Sequence, residues 1–278
     1  MKKRRISFVT FSIYALLLLA GGSWLSIFTL EKASLSLLFS EQNLFYAGKF
    51  FKGLLGFGEE SPAFLNAENW KNALELTIET LVMSVMATGF ATIAALITVV
   101  PAARNVADGS LTLVKKWHGW ISFGTIRAGY IFSRAVPELV WAMIIIFIFK
   151  PGILPGAIAL ALHNYGILGK LFAEVIEDLD SRPIRNLSSS GAGRFQLLLY
   201  GVLPAALPRF LTYILYRWEV IMRTTIVVGF VGAGGLGQQF KLSMSFFHYT
   251  DIALLLFFYL ALVFAADYIS EKARIFIK

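Results

Sequence analysis

The chain contains no cysteine among its 278 residues. That excludes a disulfide framework, a thiolate metal site and a cysteine nucleophile. Histidine is nearly missing as well. His118, His163 and His248 lie far apart in sequence, so no resident metal centre is expected. Charge is the third scarcity: only 15% of residues are charged, against about 25% in an ordinary soluble domain. With 57% hydrophobic residues and a mean hydropathy of +0.70, the chain is too apolar for a soluble globule or for a disordered one. The class left is an all-α, polytopic membrane protein.

The excess of basic over acidic residues, +8 in all, would suggest nucleic acid in a soluble protein. In a membrane chain it is first a topological signal, because Lys and Arg accumulate in cytoplasmic loops. Nucleic acid is therefore not an expected partner, whereas membrane lipid is.

Six apolar runs are long enough to span: Phe8–Leu30, Leu74–Val100, a third from about Ile131 to Phe149, Ile153–Phe172, Leu203–Phe230 and Ile252–Ile269. The first follows Lys2, Lys3, Arg4 and Arg5 and lacks a small-x-small cleavage pattern, so it reads as a retained span. Residues 31–71 read as a loop. Ile121–Phe149 is long enough for a helix plus a span, and Arg127, Arg134 and Pro137 interrupt it, so an amphipathic lead-in precedes the span from about Ile131. Residues 1–73 thus form an N-terminal helix and external loop, and 74–278 a transmembrane domain. With the N-terminus inside, fifteen of the twenty-five basic residues fall on the cytoplasmic side. The bias predicts both termini cytoplasmic. No internal repeat supports an inverted-repeat transporter.

The few charges inside spans are the informative ones. Each costs about 2.5–3.5 kcal/mol at a helix centre, and the fifth run holds Arg217, Glu219 and Arg223. Arg209, Thr212, Tyr216, Glu219 and Arg223 are spaced 3, 4, 3 and 4, a narrow helical stripe. Glu219 and Arg223 can share charge at i,i+4. Arg217 lies off that stripe and needs another partner. Such a stripe suits a water-filled path for an anion, or a neutralised pair that fixes packing. Arg134 and Glu138 form a second i,i+4 pair around Pro137, which frees a backbone carbonyl. His163 and Asn164 sit mid-span beside Gly166 and Gly169, as in an interhelical contact. In the second run Thr77, Ser84, Thr88, Ala91 and Ala95 share a small-residue packing face. Glu75 and Glu79 near its external end read as solvated, or as part of an outer gate.

Gly232, Gly234 and Gly237 satisfy G-x-G-x-x-G within VGAGGLG. Without a preceding strand, or a Lys-Ser/Thr after it, this is a flexible turn rather than a nucleotide loop. No convergent nucleophile, acid/base pair or metal set marks an enzyme.

Residues 174–203 form a polar cytoplasmic loop. Asp180 or Ser181 can cap a helix with Pro183 in its first turn, Gly191 can end it, and Gly193 and Arg194 can begin another. RNLSSSGAGRFQLLLYGVLP resembles the coupling-loop motif of ABC-importer permeases, E-A-A, three residues, G, then a gap to L-P. Gly191, Leu203 and Pro204 match. Arg185 stands in place of the glutamate and Asn186 in place of the first alanine. FSRAVPELVWAMI (132–144), ALHNYGILGKLFAEVIE (161–177) and the run from Tyr200 to Gln238 resemble the phosphonate-type permeases.

The resemblance implies a five-helix type I ABC-importer permease core preceded by one N-terminal helix, in the inner membrane. It implies a second permease copy or a related permease, an ATP-binding cassette subunit and an extracytoplasmic substrate-binding protein as partners. ATP and Mg would be used by the ATPase and no cofactor held by this chain. Substrates would be phosphonates, phosphite, phosphate or its esters. Arg182, Arg185, Gly191, Arg194 and Pro204 are the expected ATPase-coupling residues. Arg217, Glu219, Arg223, Arg134 and Glu138 are the expected pathway residues. A stand-alone anion channel or secondary carrier is the alternative.

Overall fold

The computed structural model describes residues 8–30, 39–111 and 117–277. The basic cluster at residues 2–5, Lys32, Lys115, Lys116 and Lys278 lie outside them. The chain divides into two compact units between Gly58 and Glu59. The first holds α1 (Phe8–Leu30) and α2 (Glu41–Leu54). The segment expected as a plain loop therefore contains a 14-residue helix. Ser40 starts it by accepting from the Asn43 amide. At 1.5 Å per residue it is about 21 Å long, too short to span.

The second unit contains α3 (Ala67–Ala102), α4 (Trp117–Ala135), α5 (Glu138–Phe149), α6 (Ile153–Glu177), α7 (Ser181–Ser189), α8 (Leu203–Val228), α9 (Gly235–Ser245) and α10 (Tyr249–Ile277). Among the described residues four helical stretches are long and apolar enough to cross a membrane: Phe8–Thr29, Ala67–Ala102, Arg194–Ala233 and Tyr249–Ile277. The pair α4 and α5, bent by 92°, is a fifth if taken as one span. The remaining expected span is α6. Its 25 residues reach about 37 Å, which is long enough. Its polar residues lower its apolarity, and protein rather than lipid surrounds it: α3, α4, α5 and α8 all pack on it.

Small residues make that enclosure possible. Ala87, Ala91 and Ala95 of α3 are fully buried, as are Ala157, Leu160 and Leu168 of α6. Where lipid is as apolar as the helix surface, such close approach supplies the association energy. The small face expected on the second run is thus a helix contact. Gly166 is part of the same design. A Cβ there would lie 2.5 Å from the Tyr130 carbonyl oxygen, so glycine lets α4 run directly over α6.

The glycine segment, expected as a flexible turn, is closely packed and hydrogen-bonded to a neighbouring helix. A kinked turn, Gly229–Ala233, with Gly232 at φ +107°, follows α8. A Cβ on Gly237 would stand 2.2 Å from the Ile226 carbonyl oxygen. The start of α9 is tied to α3: Glu79 Oε2 accepts from the Gly235 amide at 3.2 Å, and Thr80 Oγ1 from the Leu236 amide at 2.9 Å. Orphan donors at a helix start are thereby satisfied, and Glu79 has a structural partner rather than solvent alone.

Gly237→Ala is expected to destabilise the purified chain by roughly 1–3 kcal/mol, the usual cost of overpacking. Gly129→Ala, where a Cβ meets nothing within 4 Å, should leave thermal unfolding in nanodiscs unchanged or slightly improved.

Candidate functional site: a broken helix and the charges around it

Pro137 lacks an N–H, so the carbonyl four residues earlier, that of Ser133, loses its helical donor. The chain breaks there into α4 and α5. The Trp141 indole N–H donates to the Ser133 carbonyl instead, at 3.0 Å. The Val136 carbonyl receives His163 Nδ1 of α6 at 2.9 Å. The Ser133 hydroxyl in turn donates to the Leu162 carbonyl. The break is therefore sharper than the expected amphipathic lead-in, and α5, with 12 residues, spans only about 18 Å by itself.

Glu138 opens α5, where a helix N-terminus favours negative charge. Its partner is not Arg134 as the spacing suggested. Glu138 Oε2 lies 3.2 Å from His163 Nε2. The proline turns the helix between positions 134 and 138, so the i,i+4 relation no longer holds. His163 and Asn164 do make interhelical bonds, as expected. Asn164 Oδ1 accepts Arg217 Nε at 2.9 Å and also an Arg217 Nη2 proton. This is the off-stripe partner that Arg217 required. Glu138 is within electrostatic reach of the same guanidinium. Residues 138, 163, 164 and 217, from three helices, thus form one polar cluster.

The other charges of α8 turn to α10. Glu219, buried, has Oε1 2.7 Å from Arg274 Nη2, off the hydrogen-bonding direction. Arg223 donates through Nη2 to both Asp267 oxygens, at 2.7 and 2.6 Å. The expected Glu219–Arg223 pair is thus replaced by two ion pairs between helices, although the two side chains still feel one another. Sequence spacing ranks neighbours on one helix. It carries no information about Asp267 and Arg274, about fifty residues away.

One further charged group was not singled out by spacing. Glu177, at the end of α6, accepts from Arg127 Nη2 and from the Arg104 amide, both at 2.6 Å. Beyond it, Asp180 caps α7 by accepting from the Arg182 amide at 3.0 Å. In α7 Ile184 is buried, and its Cγ1 would be 3.2 Å from a Cβ on Gly201. Arg182, Arg185 and Arg194 are exposed. Gly191 has φ +86°, a left-handed conformation that closes α7. The turn Arg194–Gln196 and a π-helical stretch, Leu197–Val202, lead into α8 with Pro204 in its first turn. The helical run of the fifth span thus begins near Arg194, earlier than expected.

Long apolar helices, a broken span and ion pairs between helices define a multi-pass membrane protein. Residues 109–271 match the family described as "binding-protein-dependent transport system inner membrane component", and the chain belongs to that family. It is 37% identical over 213 residues to the phosphite transport system permease protein PtxC of Stutzerimonas stutzeri, covering 77% of this chain and 73% of that one. It is 39% identical over 162 residues to the phosphate-import permease protein PhnE of Mycolicibacterium smegmatis, covering 58% of this chain and 29% of that one. The fold resembles a chain of the inward-facing MetNI methionine ABC transporter, with TM-score 0.63, 17% identity and coverage of 74% and 95%.

Trp141→Phe keeps an aromatic ring and deletes the donor to the Ser133 carbonyl. The expected cost is about 1–3 kcal/mol, that of an unsatisfied buried carbonyl, read as a lower unfolding temperature in nanodiscs.

Proposed function

We propose that this chain is the permease subunit of an ATP-driven importer for phosphonate-like phosphorus oxyanions: phosphonate, phosphite or phosphate esters. The observation that carries the anion reading is Arg217. It is a guanidinium deep in α8, hydrogen-bonded to the neutral Asn164 amide. A guanidinium has five donors and stays charged. Asn164 takes two of them, so positive charge and spare donors remain for a passing anion. Glu219 and Arg223 face carboxylate or guanidinium partners on α10 and act mainly by holding α8 against it. Arg134 and Glu138 flank the pathway at the helix break. The kinship with phosphite and phosphate permeases supports the substrate class.

In this reading a second permease copy, or a related permease, completes the channel in the lipid bilayer. An extracytoplasmic binding protein delivers the substrate. Two ATP-binding cassette subunits hydrolyse ATP with Mg, and this chain holds neither. The exposed basic side chains of Arg182, Arg185 and Arg194 face the ATPase across α7 and the Gly191 turn. Ile184, seated against Gly201, passes the movement to the foot of α8. Glu177, which clasps Arg127 and the Arg104 amide, passes it to α3 and α4. Both termini then lie on the cytoplasmic side with α7, the orientation that the basic-residue bias favours.

Two measurements test the division of labour. Proteoliposomes with this chain, its ATPase and its binding protein should accumulate phosphite only with ATP; uptake that persists without the ATPase would mark a channel or secondary carrier. Gly191→Asp introduces a side chain at φ +86°, and should insert normally yet lose at least about 90% of uptake, equivalent to roughly 1.4 kcal/mol. Unchanged uptake would count against α7 as the coupling element.

A further inference from the structure

The short helix α2 has defined ends and an uncovered surface. Ser40 caps its start by accepting from the Asn43 amide. At its end the Phe57 amide donates to the Lys52 carbonyl at 3.0 Å, and the Gly56 amide to the Gly53 carbonyl at 2.9 Å. This paired closure needs a left-handed residue, and Gly56 supplies it with φ +80°. Yet none of the 14 residues is buried. Leu44, Phe51 and Leu55 are each more than half exposed. A helix this short is marginal in water, and in proteins such helices are held by packing of an apolar face.

That face can be read from the spacing. At about 100° per residue, Leu44, Ala47, Phe51, Leu54 and Leu55 fall within an arc of about 100°. Gln42 and Lys49 project from the opposite side. Glu41, Asn43 and Lys52 lie on the borders of the arc. Phe45 and Tyr46 flank Lys49 and blur the period in the sequence. Glu41, the one carboxylate of α2, stands in its first turn, where the helix dipole favours negative charge.

The position of α2 in the chain says what covers the face. It lies between α1 and α3, each long and apolar enough to span, and is itself too short to do so. A segment between successive spans stays on one side of the bilayer, so both of its ends are tethered to the same membrane surface. The composition suits that surface. Aromatic side chains are enriched at headgroup level. Lysine stems can lie along apolar surface while the ammonium reaches the phosphates. A protein partner is the poorer match, since interfaces between proteins are depleted in lysine.

We propose that α2 is an interfacial helix, lying in the plane of the bilayer surface with Leu44, Ala47, Phe51, Leu54 and Leu55 among the acyl chains and Lys49 and Lys52 at the headgroups of anionic phospholipid. This goes beyond the transport reading and does not depend on what the chain carries. It gives the connection between α1 and α3 its own hold on the membrane.

The test uses the full chain in vesicles of equal parts phosphatidylcholine and phosphatidylglycerol. The chain has no cysteine, so Ala47→Cys, Phe51→Cys and Lys49→Cys each carry a single nitroxide label. Paramagnetic relaxation by oxygen, which enters lipid, and by a nickel chelate, which stays in water, reads the depth of each label. Labels at 47 and 51 should lie about 5–10 Å into the headgroup and acyl boundary, and the label at 49 at or above the phosphates. Equal access of the chelate to all three would place α2 in water and overturn the proposal. Labels at 47 and 51 shielded from both reagents would mean that protein covers the face, and would overturn it too. Ala47→Cys is a small change at an exposed position, so its reading does not depend on tolerance of the loss of Phe51.

A second measurement tests the lysines. Lys49→Gln combined with Lys52→Gln should move the label at 47 towards the phosphates in the mixed vesicles and leave it in place in phosphatidylcholine alone. An unmoved label, or an equal movement in both lipids, would overturn the assignment of the lysines to anionic headgroups.

Discussion

Proline 137 removes one backbone donor from a chain whose surroundings offer little water to replace it. In hydrocarbon, unsatisfied backbone groups cost several kcal/mol each, so irregular backbone survives only where protein or a wet cavity supplies partners. Here the partners are the Trp141 indole for Ser133 and the His163 imidazole for Val136. That need explains why α6 is polar at its middle and why it is the enclosed helix of the unit. Satisfying the break brings His163 and Asn164 to it, and they bring Glu138 and Arg217 into the same cluster.

The two ends of the unit are fastened by different means. At one end Glu79 and Thr80 hold the start of α9, and glycine at 237 lets it lie on the last turns of α8. At the other, Glu177 gathers α4 and the end of α3 at the root of α7. Between them, the ion pairs Arg274–Glu219 and Arg223–Asp267 fix α10 to α8. A push on α7 therefore meets two routes into the membrane domain, one through Ile184 and Gly201 to α8 and one through Glu177 to α3 and α4. Of the helices that carry the cluster around Arg217, α8 meets the first route and α6 carries Glu177 itself.

Much of this was legible in the residues. The apolar runs marked the spans because lipid imposes length and apolarity directly on sequence. The α7 element was legible because Asp180, Gly191 and Gly193 are local signals whose meaning needs no distant partner. Charge partners were not legible in the same way. Helical spacing offered Arg223 for Glu219 and Arg134 for Glu138, while the folded chain uses Arg274 and His163. The kink at Pro137 and the approach of α10 decide those pairings, and both are tertiary facts. The glycines 229–237 read as flexible because composition cannot distinguish a loose turn from one where only glycine fits. The helix Glu41–Leu54 was missed because its apolar residues are too few to span and too mixed for a clear period.

The central claim is that the cluster around Arg217 borders a water-filled anion path. The chain has no cysteine of its own, so a single introduced thiol reports without interference. The decisive measurement is the rate at which Arg217→Cys, in the assembled transporter, reacts with a charged, water-soluble thiol reagent. The same reagent on Ile221→Cys, at a fully buried position one turn away, sets the baseline. The account predicts that position 217 reacts well above that baseline and changes rate when ATP engages the partner subunits. A thiol at 217 as inert as the one at 221, with and without ATP, would contradict it.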